Sequence, residues 1–262
     1  MHVINRLYQD AHDFSPATPK HSYMIATVPR SGSTYFAIRL WQTGLLGAPM
    51  EYLNLPAMNR QLMPRLGIHQ ADPFTLTTSE ILAYWQRVKQ IRTSPNGVFG
   101  YKMFKVVFHD IISHYPEVFE DIAPDYVLYL TRKDLVGQAI SHSRAIKTNK
   151  WFASQTLAEE TYDFEHISKC QNHIENEYAY WEQVFLHSGI QPIRVTYEDI
   201  LQNGPKVIGN ILSLMGLGEL PESNLPIPII DKQSDDISAE WRARYELDRA
   251  KRYADHAQFV GS

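Results

Sequence analysis

Cysteine is almost missing: Cys170 stands alone in 262 residues. A single thiol excludes an intrachain disulfide framework and any multi-cysteine metal site, and it fits a reducing compartment. Positive charge is not in excess either. With 25 Lys and Arg against 29 Asp and Glu, the net charge is −4 and the pI is near 6.3. A general nucleic-acid or anionic-membrane surface is thereby excluded, and any anion site has to be built locally. No window approaches the roughly 20 apolar residues of a membrane span. The opening MHVINRLYQDAHDFSPATPKH lacks the basic start and apolar stretch of a secretory signal, so a cytoplasmic protein is expected. The histidines show no paired spacing such as H-x-x-x-H, and no metal site is assigned. Internal repeats and low-complexity tracts are also lacking. What remains, 44% apolar residues over this length, suffices for one domain across 1–262, with 1–20 its least defined part.

Strand-like runs alternate with helical periodicity. SYMIATVP (22–29) is a short apolar run that stops at a proline, and from Ser33 the apolar residues Phe36, Ile38, Leu40, Trp41 and Leu45 follow helical spacing until Gly44 and Gly47. TTSEILAYWQRVKQI (77–91) opens on a capping-box-like pair and continues as an amphipathic helix, and GVFGYKMFKV reads as a strand. DYVLYLTR (125–132) is strongly β-prone, and the helical DLVGQAISHSRAIKTNKW follows it. The stripe Phe164, Ile167, Ile174, Tyr178, Trp181 and Phe185 reads as a core helix. PIRVTYEDI (192–200) is a strand running into a helix, VIGNILSLMGL a short apolar helix, and 238–251 a charged one. This alternation implies an α/β, P-loop-like three-layer fold with a central parallel sheet flanked by helices. Segments 47–75, with Pro49, Pro56, Pro64, Gly67 and Pro73, and 216–236 are irregular and suit binding loops.

The stretch TVPRSGSTYFAIRL (27–40) concentrates small donors between the first strand and helix. A loop there presents free N–H groups and the positive end of the helix dipole to an anion. Ser31, Ser33 and Thr34 add hydroxyls, Gly32 allows close approach, and Arg30 adds a bidentate charge. An ordinary capped helix start is the alternative. The loop is not a Walker A motif, because no earlier glycine and no lysine before the Ser/Thr stand at the required spacing.

Arg30-Ser-Gly-Ser-Thr after a strand resembles the 5′-phosphosulfate loop of sulfotransferases that use 3′-phosphoadenylyl sulfate (PAPS), and its wording is nearest the Stf0 family. TRKDLVGQAISHSRA (131–145) is similar to the family's 3′-phosphate segment, which implies Arg132 and Ser141 as ligands of that phosphate. VTYEDI is similar to the segment whose tyrosine lies near the adenine, which implies Tyr197. DKQSDDISAEWRARY resembles the segment that closes over the nucleotide, which adds Lys232 and Gln233. The resemblance runs from about 22 to 248 and implies a sulfotransferase fold with PAPS as co-substrate and no metal. It also implies a homodimer, since Lys147–Trp151 matches the place where one subunit of the family closes the other's acceptor site.

PAPS carries a 5′-phosphosulfate and a separate 3′-phosphate, so two anion sites at neighbouring strand ends are required, and two strand-end Arg/Ser clusters are present. Sulfuryl transfer needs cations and N–H donors where charge grows on the leaving oxygen. Arg30 fits that role, and Lys102 is placed to reach the same phosphate unless it snorkels from its strand end. The resemblance implies a glutamate base after the first helix; GAPMEYLN supplies Glu51. His109 is the competing base, by likeness to histidine-based members. A carbohydrate or glycolipid acceptor, trehalose-like sugars included, is implied, with Tyr52, Asn54, Trp85 and Trp151 as sugar-contact candidates that serve equally as core residues. Departures at 50–75 and 150–165 leave the acceptor open. The alternatives are a P-loop-like small-molecule kinase, with Asp134 as its only magnesium candidate, and a nucleotide-binding scaffold without catalysis.

Overall fold

The computed structural model describes residues 7–148, 161–220 and 236–260. Four runs rich in β-branched and aromatic residues form the strands: β1 His21–Thr27, β2 Val98–Phe104, β3 Tyr126–Thr131 and β4 Ile193–Thr196. They pair in parallel in the order β2-β1-β3-β4. The helices are α1 Ser33–Gln42, α2 Leu55–Gln61, α3 Thr78–Arg92, α4 Lys105–His114, α5 Phe119–Ile122, α6 Leu135–Thr148, α7 Phe164–Ser188, α8 Tyr197–Leu214 and α9 Asp236–Val260. Helix α3 starts where its sequence asks it to: Thr77 and Glu80 close a capping box on each other's backbone N–H groups.

Chain order makes β1 the pivot. From β1 the chain passes to β2 on one side and then crosses to β3 on the other, so a topological switch point lies beside β1, where open α/β sheets bind ligands at their carboxyl ends. The register aligns those ends: Thr27 stands opposite Phe104 and Leu130, and Thr131 opposite Thr196. The residues that follow, Val28 to Gly32, Arg132 and Tyr197, therefore leave the sheet in one row.

The described residues fall into two compact units, 7–133 with 177–220 and 134–148 with 161–176 and 236–260. The first holds the whole sheet and its apolar core, in which Ile25, Phe36, Leu40, Leu128, Leu130, Ile208 and Leu212 are buried. Helix α7 belongs to it from Glu177 onward. There Trp181 donates from its indole N–H to Thr27 O at 3.1 Å, and Tyr178 Oη accepts from Arg132 N–H at 3.0 Å. The expected core stripe of this helix thus also ties down the ends of β1 and β3.

Three expectations shift. The fourth strand stops at Thr196, whose hydroxyl caps the next helix by accepting from Asp199 N–H, so Tyr197 opens α8. The separate helix expected from Val207 is continuous with it across a kink at Asn203, two residues before Pro205. The N-terminal stretch, expected to be poorly defined, is anchored from Leu7 onward. Arg92, fully buried, donates to Leu7 O at 3.1 Å and to Gln9 O at 3.5 Å and pairs with Asp13 at 3.0 Å. Removing one partner of a buried pair costs about 3–5 kcal/mol, against about 0–1 kcal/mol for an exposed pair such as Arg194–Glu182. Arg92 therefore fixes this stretch far more firmly than any surface pair does.

The second unit comprises α6, the first half of α7 and α9. Tyr245 Oη shares hydrogen bonds with Ser168 and Gln171, each at 3.2 Å, and its ring stacks on Phe164. Cys170 lies in this unit, buried, and burial pushes its thiol up to about 11. Because the thiolate is the reactive form, the native protein at pH 8 is expected to react with a chromogenic disulfide reagent at least a hundredfold more slowly than the urea-unfolded chain. Equal rates would place the thiol at the surface.

Candidate active site

The loop after β1 is built from two left-handed residues. Arg30 has φ 65° and Gly32 has φ 86°. Arginine rarely takes this conformation, which costs about 1–2 kcal/mol, so neighbours must hold it. Arg132 Nη1 donates to Arg30 O at 3.3 Å, and Ser31, fully buried, shares a 2.7 Å hydrogen bond with the Thr27 hydroxyl. Gly32 meets the ring of Tyr197: a Cβ there would stand 2.2 Å from Tyr197 Cδ2, so only glycine fits. Gly32 is also the N-cap of α1 and, having no side chain, gives the first turn no cap hydrogen bond. The helix start therefore offers its N–H groups to an anion beside the loop.

On the other side of β1, Lys102 points from β2 into the interior with 2% of its surface exposed. Its Nζ donates to Glu51 Oε1 at 2.9 Å and to Thr34 Oγ1 at 3.3 Å. Glu51 reaches it because Met50 bridges Tyr101 in parallel and accepts from Lys102 N–H at 2.8 Å, which adds one residue to the sheet edge. Asn54, the N-cap of α2, brings Nδ2 to 3.4 Å from Glu51 Oε2. The carboxylate is thus held at both oxygens.

The expected residues divide as follows. Arg30, Ser31, Gly32, Ser33 and Thr34 form the loop and the first turn of α1; Lys102 and Glu51 meet beside Thr34; Arg132 reaches the loop backbone. Tyr197 stands between Gly32 and the Arg132 guanidinium, which lies 5.4 Å from its ring centre, and burial raises its phenol above the ordinary range. Ser141 lies on α6 in the second unit, and Lys232, Gln233 and Trp151 lie outside the described residues. His109, exposed on α4, packs against Tyr180 with ring centres 5.2 Å apart. Two sugar-contact candidates are core residues: Tyr52 is fully buried with its hydroxyl on Ala48 O, and Trp85 is buried with its indole N–H on Asp121 O. Asp134 pairs with Arg242 and caps Gly137 N–H in the second unit. Among the described residues no group of three or more His, Cys, Asp or Glu is placed to hold a metal ion, and no helix is long and apolar enough to cross a membrane.

The strained loop lies at a topological switch point and carries no Walker lysine. The model of the Stf0 sulphotransferase family matches residues 22–248, and the chain belongs to that family. The chain is 25% identical to the trehalose 2-sulfotransferase of Mycobacterium tuberculosis strain Erdman, over 86% of this chain and 94% of that protein. It is also 25% identical to the trehalose 2-sulfotransferase of Mycolicibacterium smegmatis, over 87% and 95%. Among solved structures, the sulfotransferase domain of the Synechococcus PCC 7002 olefin synthase aligns with a TM-score of 0.43 at 19% identity, covering 87% of this chain and 90% of that one.

The loop geometry separates strain from function. Arg30→Gly is expected to preserve or raise the melting temperature, because glycine relieves the left-handed strain, while lowering affinity for 3′,5′-adenosine bisphosphate at least tenfold. Gly32→Ala should lower the melting temperature by about 2–8 °C and weaken the same ligand. Scanning calorimetry and titration calorimetry check both; a stable Gly32→Ala protein with parental affinity would refute this account of the loop.

Proposed function

We propose that this sulfotransferase moves the sulfuryl group of PAPS to a hydroxyl of a carbohydrate or carbohydrate-bearing lipid, with Glu51 as general base. The observation that carries the reading is the convergence of Lys102 Nζ on Glu51 Oε1 and Thr34 Oγ1. It ties a carboxylate to the first turn of the helix that follows the anion loop. A sulfuryl group bound at the loop and a hydroxyl bound at Glu51 would then be neighbours, as in-line transfer requires.

In the proposed step the acceptor oxygen attacks sulfur while the bond from sulfur to the bridging phosphate oxygen breaks. The hydroxyl proton passes to Glu51, and the electron pair leaves on the phosphate of 3′,5′-adenosine bisphosphate. Arg30, the loop N–H groups and Lys102 meet the charge that grows on the leaving oxygen. These fixed cations take the part that magnesium plays in phosphoryl transfer. Arg132 and Ser141 bind the 3′-phosphate, Tyr197 borders the adenosine, and Lys232 and Gln233 belong to the closing segment. The two curated relatives support a sugar acceptor and make trehalose the first to assay. The family match runs through both units and supports one catalytic domain, and the likeness at Lys147–Trp151 supports a homodimer. A cytoplasmic setting completes the reading.

Titration calorimetry tests the donor. 3′,5′-Adenosine bisphosphate is expected to bind at least tenfold more tightly than 5′-AMP or ADP with magnesium; equal or tighter binding of ADP with magnesium would favour a kinase.

Initial rates with PAPS test the base. Glu51→Gln should lower kcat by about 10²–10⁴-fold with bisphosphate affinity near parental, while His109→Ala stays close to the parent protein. The reverse pattern would move the base to His109.

A further inference from the structure

The N-terminal stretch reaches the candidate base. Glu51 N–H donates to Tyr8 Oη at 3.2 Å. The contact spans 43 residues of sequence and joins a segment outside the sheet to the residue that follows the Met50 bridge. Tyr8 is 5% exposed and packs edge-on against Tyr52 with ring centres 6.2 Å apart. Burial, and then the nearby Glu51 carboxylate, raise its phenol well above the ordinary range, so the phenol stays neutral and keeps a lone pair for the amide.

The segment that carries Tyr8 is gripped along its backbone. Arg92 donates to Leu7 O and Gln9 O, and Arg65 donates to Tyr8 O between them. Three successive carbonyls thus end on two guanidinium groups. The same pair closes the segment from its side chains: Arg92 meets Asp13 at 3.0 Å, and Arg65 meets Asp13 at 2.6 Å and also Asp10. Farther on, Phe14 N–H and Ala17 N–H donate to Ile91 O and Gln90 O, at the end of α3. A loosely attached tail would show none of these contacts.

Each polar group of Glu51 has a partner, while the carboxylate oxygens keep further lone pairs. Lys102 holds Oε1, Asn54 Nδ2 approaches Oε2, and Asn54 N–H donates to the Glu51 carbonyl at 3.1 Å. Lys102 and Asn54 fix the carboxylate and the outgoing backbone, and Tyr8 fixes the incoming amide. A displacement of about 1 Å at a reacting group can cost about a hundredfold in rate. We propose that Tyr8 is a positioning residue for the Glu51 carboxylate, and that the Leu7–Asp13 segment, clamped by Arg92 and Arg65, is part of the catalytic framework.

This inference rests on Glu51 being the base, and the test separates the two. Tyr8→Phe removes one oxygen and keeps the ring against Tyr52, so folding is preserved. The parent, Tyr8→Phe, Glu51→Gln and the double variant are compared in transfer from PAPS to trehalose, with melting temperature as a control. Residue-resolved amide exchange by NMR is recorded on the free parent and Tyr8→Phe proteins. Tyr8→Phe is expected to speed exchange of the Glu51 amide about tenfold, leave the Ile25 and Leu128 amides unchanged, and hold the melting temperature within about 2 °C. It should lower kcat about five- to twentyfold with KM for PAPS unchanged, and add nothing in the Glu51→Gln background. Unchanged exchange at Glu51 overturns the proposal whatever the rates, including the case in which trehalose is no acceptor. The same fold-loss from Tyr8→Phe in both backgrounds overturns it too, because the effect would not pass through the carboxylate. Parental turnover by Glu51→Gln would instead sink the base assignment itself, and the positioning role with it.

Discussion

A buried ammonium group sets the terms for this site. Lys102 leaves 2% of its surface to solvent, and an ion taken out of water needs a charged partner and further hydrogen bonds to be tolerated. Strand β2, Val98–Phe104, carries no carboxylate of its own. The partner comes instead from Glu51, 51 residues away, and the chain must add Met50 to the edge of β2 to bring it there. Thr34 supplies a further contact and, with it, a link to the start of α1. One compensation requirement thereby connects the sheet edge, the helix start after β1 and the carboxylate.

The loop after β1 meets a different constraint, that of holding an unfavourable backbone conformation. Two left-handed residues in three turn the chain sharply, and each is supported from a different strand end. Arg132, after β3, takes the Arg30 carbonyl; Tyr197, after β4, fills the space that a Cβ at residue 32 would need. Trp181 and Tyr178 of α7 lock the ends of β1 and β3 from the other direction. Arg132 and Tyr197 thus act on the loop after β1 through direct contact. A tyrosine at this place holds the loop open by its bulk as well as by its ring chemistry.

The sheet and most of its helices were legible in the sequence because burial on a strand and on one helix face leaves periodic traces. The capping box at Thr77 and Glu80 and the proline stop after β1 were equally direct. The boundary at Thr196 was not, since a threonine that caps a helix and a threonine that continues a strand look alike in VTYEDI. Tyr52 and Trp85 were ambiguous for a similar reason: an aromatic residue near a candidate carboxylate serves a core as well as a sugar, and only burial decides. The loop residues were readable from composition, and Glu51 from family likeness. The contacts that give them meaning were not. Lys102 to Glu51, Arg92 to Asp13 and Tyr8 to Glu51 each join residues dozens of positions apart, and no local pattern encodes a pairing of that kind. The N-terminal stretch suffered most, because it is held by guanidinium groups on its carbonyls, and carbonyls carry no sequence signature.

Charge distribution explains why so much structure is invested in these few positions. The chain carries a net charge of −4, so its overall field does not draw anions toward it from a distance. Under the proposed reading, attraction comes from Arg30, Lys102, Arg132 and the start of α1, within a few ångströms, where screening by salt is weak. Such short-range groups act only if they are already in place when the anion arrives; each degree of freedom left to them would be lost on binding. The left-handed Arg30, the buried Lys102 and the clamped N-terminal segment are three ways of removing that freedom beforehand. Under the proposed reading, rigidity close to the reacting groups takes the place of a broad positive surface in holding a polyanionic donor.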